Sequence, residues 1–429
     1  MQLPLQRFSK YVLGMALLAL PLTSQAQEQL SSQIPQAMRP HLAQPGAFAV
    51  GVRTEIFEHP HQLDLTSGQY AVRQLTVELW YPATTGTSLS NYPSMTKSQQ
   101  RFIIKGTAYR DAKPAASKPW PIVVLSHGYP GNRTLMFYLA EHLASHGYLV
   151  AAIDHPHSTY GEIDQNKAPY QGFLNTLYHR SRDQQFVLDT LRQQNNSPLS
   201  WLQAHVDTKS AAVIGYSMGG YGALNTIGGC FAFTEQHVAA FTGLKDAAKT
   251  KALQQALNSC AGGQLQVDPT WKAAIAIAPW GGQHHLFSKT ALQQLTVPLL
   301  FLAGDQDEVS GYAGMRALYE QTGSPEKYFL TYHHAGHNIA PHAAPQVSRQ
   351  LPSDFAHYHE ASWATESLHD INKHIVLAML DCHVQSIPAA CELLQADHPV
   401  WPGYQRGLAT GLSWMSATKQ PQIKQPAKP

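Results

Sequence analysis

The feature that most restricts this chain is a short apolar run, Ala211 to Ile214, that passes into Gly215-Tyr216-Ser217-Met218-Gly219 and then into a helical pattern from Tyr221 to Ile227. A buried strand, a sharp turn and a helix in direct succession are what a serine needs to stand exposed on a strained elbow. Glycines flank the serine because the turn leaves no space for side chains beside it. The hydroxyl would then sit at the positive end of a helix, where developing negative charge is stabilised. The plain alternative is a glycine turn with no chemistry, and the partners found downstream argue against it.

The chain has 429 residues, enough for one large α/β domain with insertions. Hydrophobic residues make up 44% and charged residues 14%, which is the composition of a globular protein. The formal net charge is +2 with no cluster of lysine and arginine, so nucleic-acid binding has no basis.

Residues 1–26 read as a signal peptide. Arg7 and Lys10 give the positive flank, Tyr11 to Leu22 the apolar stretch, and Ser24-Gln25-Ala26 a small-x-small cleavage site. About a dozen apolar residues are too few to span a bilayer, so stable membrane insertion is not expected. Cleavage after Ala26 removes Arg7 and Lys10 and leaves 28 basic against 28 acidic residues. The expectation is an exported protein, periplasmic or extracellular. Export permits disulfides among the cysteines Cys230, Cys260, Cys382 and Cys391. Closeness in sequence favours Cys230–Cys260 and Cys382–Cys391, against free buried thiols.

Residues 27–46 form a polar, proline-bearing leader, and the main domain is expected over 47–400. Phe48 to Phe57 and Gln74 to Trp80 alternate as antiparallel edge strands, closed by Pro82. Thr84 to Ser98 reads as a polar loop and Arg101 to Arg110 as periphery. Pro121 to Leu125 is the first fully buried strand, followed by a helix carrying Leu135, Leu139 and Leu143 and stopped by Gly147. Tyr148 to Ile153, the elbow strand, Ala273 to Ala278, Pro298 to Ala303 and Phe329 to Tyr332 supply further strands. Helical patterns over Ser181 to Leu191, Tyr312 to Tyr319 and Glu366 to Leu380 lie between and after them. Strands alternating with helices mean a mostly parallel sheet with helices on both faces, the α/β class. Residues 230–266, helical and rich in alanine, form an insertion that either roofs a pocket or elaborates the surface. Residues 401–429 are a C-terminal extension, with a disordered end after Thr418.

A serine hydroxyl is a weak nucleophile at neutral pH and needs a base that is itself held by an acid. On this kind of elbow the partners follow in the order Ser, Asp or Glu, His. The strand Leu299 to Gly304 runs into Asp305-Gln306-Asp307 at a strand carboxyl end, where such sheets place functional groups. Asp307 fits the spacing, and Asp305 then becomes a turn-capping carboxylate. After the next strand, His333-His334-Ala335-Gly336-His337 offers three imidazoles. His337, behind a small residue and a glycine, is the one able to swing over Ser217. The oxyanion donors are expected to be the backbone N–H groups of Met218 and Tyr129, the latter in Ser126-His127-Gly128-Tyr129-Pro130-Gly131. His127, Tyr216, His155 and Trp280 are candidates for lining the pocket. The 23 histidines invite a metal hypothesis at His155-Pro156-His157, His284-His285 and His357-x-His359, but no H-E-x-x-H or zinc-knuckle pattern supports it. No metal and no cofactor are expected.

The motifs Tyr70-Ala71-Val72, Val77 to Ala83, Leu125 to Gly131, Gly215 to Gly220, Ala276 to Trp280 and Gly304 to Asp307 together resemble a known group. It is the serine-dependent α/β hydrolases of the platelet-activating-factor acetylhydrolase-like and predicted dienelactone hydrolase type, over roughly residues 47 to 380. That resemblance implies the α/β-hydrolase fold and cofactor-free hydrolysis of short or truncated acyl esters, a small-molecule substrate. Dienelactone hydrolases proper carry a cysteine where this chain has Ser217. The reading is an exported carboxylic-ester hydrolase working through Ser217, His337 and Asp307. Its rivals are a lipase, polyester hydrolase or acyl-peptide hydrolase on the same residues, and a non-catalytic binding protein on the same scaffold. The oligomeric state is open.

Overall fold

The structure, a computed structural model, describes residues 38–116, 118–258, 266–395, 404 and 409–417, all within one unit, Ile34–Pro429. The expected signal segment, most of the leader, Cys260 and the tail after Thr418 lie outside the described residues.

Among the described residues, eleven strands form one sheet in the order β11-β10-β9-β8-β7-β5-β6-β2-β1-β4-β3. The central strands are β5 (Trp120–Ser126), β6 (Leu149–Asp154), β7 (Val206–Tyr216), β8 (Trp271–Ile277), β9 (Leu299–Gly304) and β10 (Lys327–Tyr332), and they pair in parallel. Every residue of β5 and β9 is buried, as expected of strands covered on both faces by helices. The long β1 (Ala49–Leu63) and β2 (Tyr70–Ala83) pair antiparallel and attach to β6 through β2, which is the expected antiparallel edge.

Two strands depart from the sequence reading. Thr84 to Ser98 contains β3 (Leu89–Met95), which pairs antiparallel with β4 (Arg101–Arg110). Its inward positions are Ser90, Tyr92 and Ser94. Burial there rests on polar contacts, with the Tyr92 hydroxyl donating to the Glu141 carboxylate and accepting from Trp80 Nε1, so no apolar alternation marks the strand. Within 401–429, β11 (Leu412–Ala417) pairs antiparallel with β10 and covers what would be an open sheet edge.

The helices in chain order are α1 (Phe137–Ser145), α2 (Phe173–Asn195), α3 (Met218–Thr226), α4 (Glu235–Thr242), α5 (Ala247–Leu257), α6 (Lys289–Gln293), α7 (Tyr312–Gln321), α8 (Pro352–Ala356), α9 (Thr365–His383) and α10 (Pro388–Glu392). Helix α2 begins eight residues before the expected Ser181. Its first half buries Asn175, Thr176, His179, Arg180, Asp183 and Gln184, polar residues that give no amphipathic signal. Cys382 and Cys391 form the expected disulfide, tying α9 to α10. Cys230 is also disulfide-bonded. No helix among the described residues is long and apolar enough to cross a membrane.

Candidate active site

Strand β7 delivers Ser217 to the turn before α3, with backbone angles φ 54° and ψ −113°. That region is costly for any residue with a side chain, so the surrounding structure must hold it. The flanking glycines show how closely. A Cβ on Gly215 would lie 2.1 Å from the Gly219 carbonyl oxygen, and one on Gly219 would lie 2.1 Å from the Ser126 carbonyl oxygen.

His337, in the loop after β10, faces the serine. Its Nε2 accepts the Ser217 Oγ hydrogen bond at 2.9 Å, and its Nδ1–H donates to Asp307 Oδ2 at 2.8 Å. Asp307 follows β9. Its other oxygen, Oδ1, accepts the backbone N–H groups of Val309 and Ser310, each at 2.8 Å, leaving Oδ2 for the imidazole. The Asp307 side chain has no solvent exposure. A carboxylate fixed in this way sets both the orientation and the tautomer of the ring. The rival Asp305 accepts from the His334 N–H and from His333 Nδ1, so it caps the same loop from outside. His333 and His334 do not reach Ser217.

Tyr216 backs His337 and does not line the cavity. Its ring packs on His337 at 5.2 Å, and its hydroxyl donates to the His337 carbonyl and to Asn338 Oδ1. His127 and His155 were also candidates for the pocket wall, and they too lie elsewhere: both are buried, His127 within the loop that carries Tyr129 and His155 directly after β6. His155 Nδ1–H donates to Asp183 Oδ2 at 2.8 Å, its Nε2 accepts from Ser126 Oγ at 2.8 Å, and its backbone N–H donates to His127 Nε2. Burial, assisted by the Arg180 charge, pushes His155 down to about 3 against the pull of Asp183, so the ring is a neutral strut. Arg180 Nη1 donates to the His127 carbonyl at 3.0 Å, and Gln184 Nε2 to the Gly219 carbonyl at 3.1 Å. These α2 side chains hold both sides of the elbow, and the sequence reading missed them. The available signal was a cluster of charged and amide residues inside a helix pattern with few apolar positions.

Ser217 opens into a cavity of about 590 Å³ whose walls include Tyr129, Met218, Phe173, Phe241, Trp280 and His284. Of the four lining candidates only Trp280 is in the wall. Phe173, at the start of α2, meets Tyr129, Trp280 and Phe241 edge to face at 5.4, 5.4 and 5.8 Å. Phe241 and Ala240 come from α4, so part of the 230–266 insertion forms a cavity wall. At the mouth, Tyr170 and Val309 are 72% and 56% exposed. The Gly128 backbone passes close enough that a Cβ there would sit 3.2 Å from the Ser217 Cβ, which brings Tyr129 alongside the serine. Met218 is the first residue of α3, where helical N–H groups have no intrahelical acceptor.

Comparison with known proteins supports the α/β-hydrolase fold. The family model described as alpha/beta hydrolase fold matches residues 121–278, that of platelet-activating factor acetylhydrolase, isoform II, matches 42–197, and that of serine aminopeptidase, S33, matches 264–341. Curated relatives include cutinase est1 of Thermobifida alba, 25% identical over 247 residues, which are 57% of this chain and 60% of that protein. Cutinase 2 of Thermobifida cellulosilytica is 31% identical over 119 residues, 28% of this chain and 37% of the relative. The chain therefore matches less than two thirds of the length of these relatives. Among solved structures, a ferulic acid esterase from Streptomyces cinnamoneus aligns with TM-score 0.54 at 20% identity, covering 87% of this chain and 98% of the other.

Proposed function

The chain belongs to the α/β-hydrolase fold group, and on that premise we propose that it is a serine hydrolase of carboxylic esters. The observation that carries the proposal is the unbroken hydrogen-bonded line from Ser217 through His337 to Asp307, set at the floor of an aromatic cavity. Ser217 Oγ attacks the ester carbonyl while its proton passes to His337 Nε2. The backbone N–H groups of Met218 and Tyr129 hold the resulting oxyanion. His337 returns the proton to the leaving oxygen, the alcohol departs, and the acyl group stays on Ser217. Water then attacks with its proton passing to His337, and the acid and the free serine are released. Asp307 keeps Nδ1 protonated and stabilises the imidazolium that forms in each half-reaction.

The cavity walls are largely apolar, and among the described residues His284 is the single ionisable side chain besides tyrosines, so the fitting substrate is a neutral ester with a short or compact apolar acyl group. The Cys382–Cys391 disulfide supports an oxidising destination and thus export, periplasmic or extracellular. The test is a fluorophosphonate probe on the purified protein. Labelling at Ser217, lost in Ser217→Ala together with hydrolysis of p-nitrophenyl acetate and butyrate, is the expected result. An unlabelled protein would instead be a binding protein on this scaffold. A second reading, a polyester hydrolase, is favoured by the name cutinase on the relatives and by the exposed Tyr170 and Val309 at the mouth. Release of soluble acids from a polyester film, faster than from p-nitrophenyl esters of matched acyl group, would select it.

A further inference from the structure

Resting on the serine-hydrolase reading, we propose that Glu360 is a positioning residue that holds the base His337 in place. Glu360 lies between α8 and α9, is 6% exposed, and uses its two carboxylate oxygens separately. Oε2 accepts the Gly336 N–H at 2.6 Å and Oε1 accepts the Asn338 N–H at 2.5 Å. His337 is the residue between those two amides. A single carboxylate therefore grips the peptide groups on both sides of the base, through charge-assisted hydrogen bonds in a buried setting where they are strongest.

The same segment anchors the loop at two further points. Asn338 Nδ2 donates to the Ala356 carbonyl, and Trp363 Nε1 donates to the His333 carbonyl, both at 2.8 Å. With Asp307 fixing the ring and Glu360 fixing the backbone beneath it, the imidazole has neither rotational nor translational slack toward Ser217. A loop after a strand has no ladder of its own to supply that rigidity.

The chemistry calls for a carboxylate. A glutamine has one acceptor oxygen and would turn an NH2 toward the second amide, setting donor against donor. An aspartate keeps both acceptors but retreats by about 1.5 Å, one carbon–carbon bond. The experiment compares Glu360→Gln and Glu360→Asp with the unaltered protein, using p-nitrophenyl butyrate and counting active sites by fluorophosphonate titration. A base displaced by an ångström costs about 100-fold, so kcat per titrated site should fall by about that factor in Glu360→Gln, with KM within about twofold. Phosphonylation of Ser217 should slow in parallel, and Glu360→Asp should recover part of the loss. A residue that merely supports the fold would reduce the number of titratable sites and the melting temperature, while leaving kcat per site alone.

The proposal is overturned if kcat per site in Glu360→Gln stays within about threefold of the unaltered enzyme, or if KM accounts for the loss. Should Glu360→Gln fail to fold, a Glu360→Asp protein with full kcat per site overturns it equally. Failure of the unaltered protein to label at Ser217 would instead remove the reading on which the inference rests.

Discussion

Ser217 Oγ and His337 Nε2 are separated by 120 positions in the chain and by 2.9 Å in the folded protein. The contact exists because β7 and β10 end on the same side of one parallel sheet, each releasing a loop toward the same point. Removing the hydroxyl should reduce turnover of p-nitrophenyl butyrate by about 10⁴-fold or more. Circular dichroism should be unchanged in Ser217→Ala, and retained activity would place the nucleophile elsewhere.

The strained backbone of Ser217 yields a second expectation. At φ 54° and ψ −113° glycine is the residue with least steric cost. Ser217→Gly and Ser217→Ala both lose the hydroxyl, yet the glycine protein should be the more stable by about 1 kcal/mol. Urea melts of the two variants make the comparison, and an alanine variant at least as stable would show that the elbow stores no strain.

Arg73 and Asp183 meet far from solvent. Arg73 Nε and Nη2 each donate to the Asp183 carboxylate at 2.8 Å, and the two side chains are 5% and 0% exposed. Burial alone would raise the Asp183 carboxyl; the Arg73 charge and the His155 hydrogen bond outweigh it and hold the group well below the usual carboxylate range. Arg73→Ala strands that charge and should destabilise the fold by about 3–5 kcal/mol. A loss under about 1 kcal/mol in denaturant melts would mean that the pair is replaceable by water.

Acid should weaken the fold through buried neutral histidines. Burial lowers His342 from 6.5 to about 4, with only a hydrogen bond to the Ala343 carbonyl opposing it. The unfolded chain thus takes up this proton at a higher pH than the folded one. Stability is complete above pH 6.5 and falls as the pH drops toward 4, by up to about 1.4 kcal/mol per pH unit for each such group. His342→Phe should flatten the dependence by up to one proton in that window, measured as unfolding free energy against pH. An unchanged slope would show that His342 is already charged in the folded state.

Phe241 is the aromatic contribution of α4 to the cavity wall. Truncation to alanine removes one ring from the aromatic cluster around Phe173 and Trp280. The ratio of kcat/KM for octanoate over acetate p-nitrophenyl esters should rise by roughly 10-fold, since even one methylene gained or lost in an apolar pocket amounts to about 1–3 kcal/mol. An unaltered profile would assign the insertion to surface elaboration.

The parts legible in the sequence were those written in apolar periodicity or forced by backbone geometry. The buried runs at Ile122 to Leu125 and Leu299 to Ala303 announced parallel strands, and Gly215 and Gly219 announced a turn with no space for side chains. Spacing after consecutive strands selected Asp307 over Asp305 and His337 over its neighbours, and the fold brings those two to Ser217. Polar burial leaves no such trace. β3, the first half of α2 and the roles of His127 and His155 went unread because inward side chains such as Tyr92, Asp183 and His155 are held by hydrogen bonds to partners remote in sequence.

Sequence by itself determined the order of the buried parallel strands, the elbow and the types of side chain available at each strand end, because these follow from local sterics and from the period of hydrophobic residues. Only the tertiary structure decided which rings besides Trp280 wall the cavity, that His127, His155 and Tyr216 stand outside it, and that Glu360 closes on the loop of His337. Those are relations between segments separated by tens to hundreds of residues, fixed by packing and mutual hydrogen bonding across the sheet, and no local pattern encodes them.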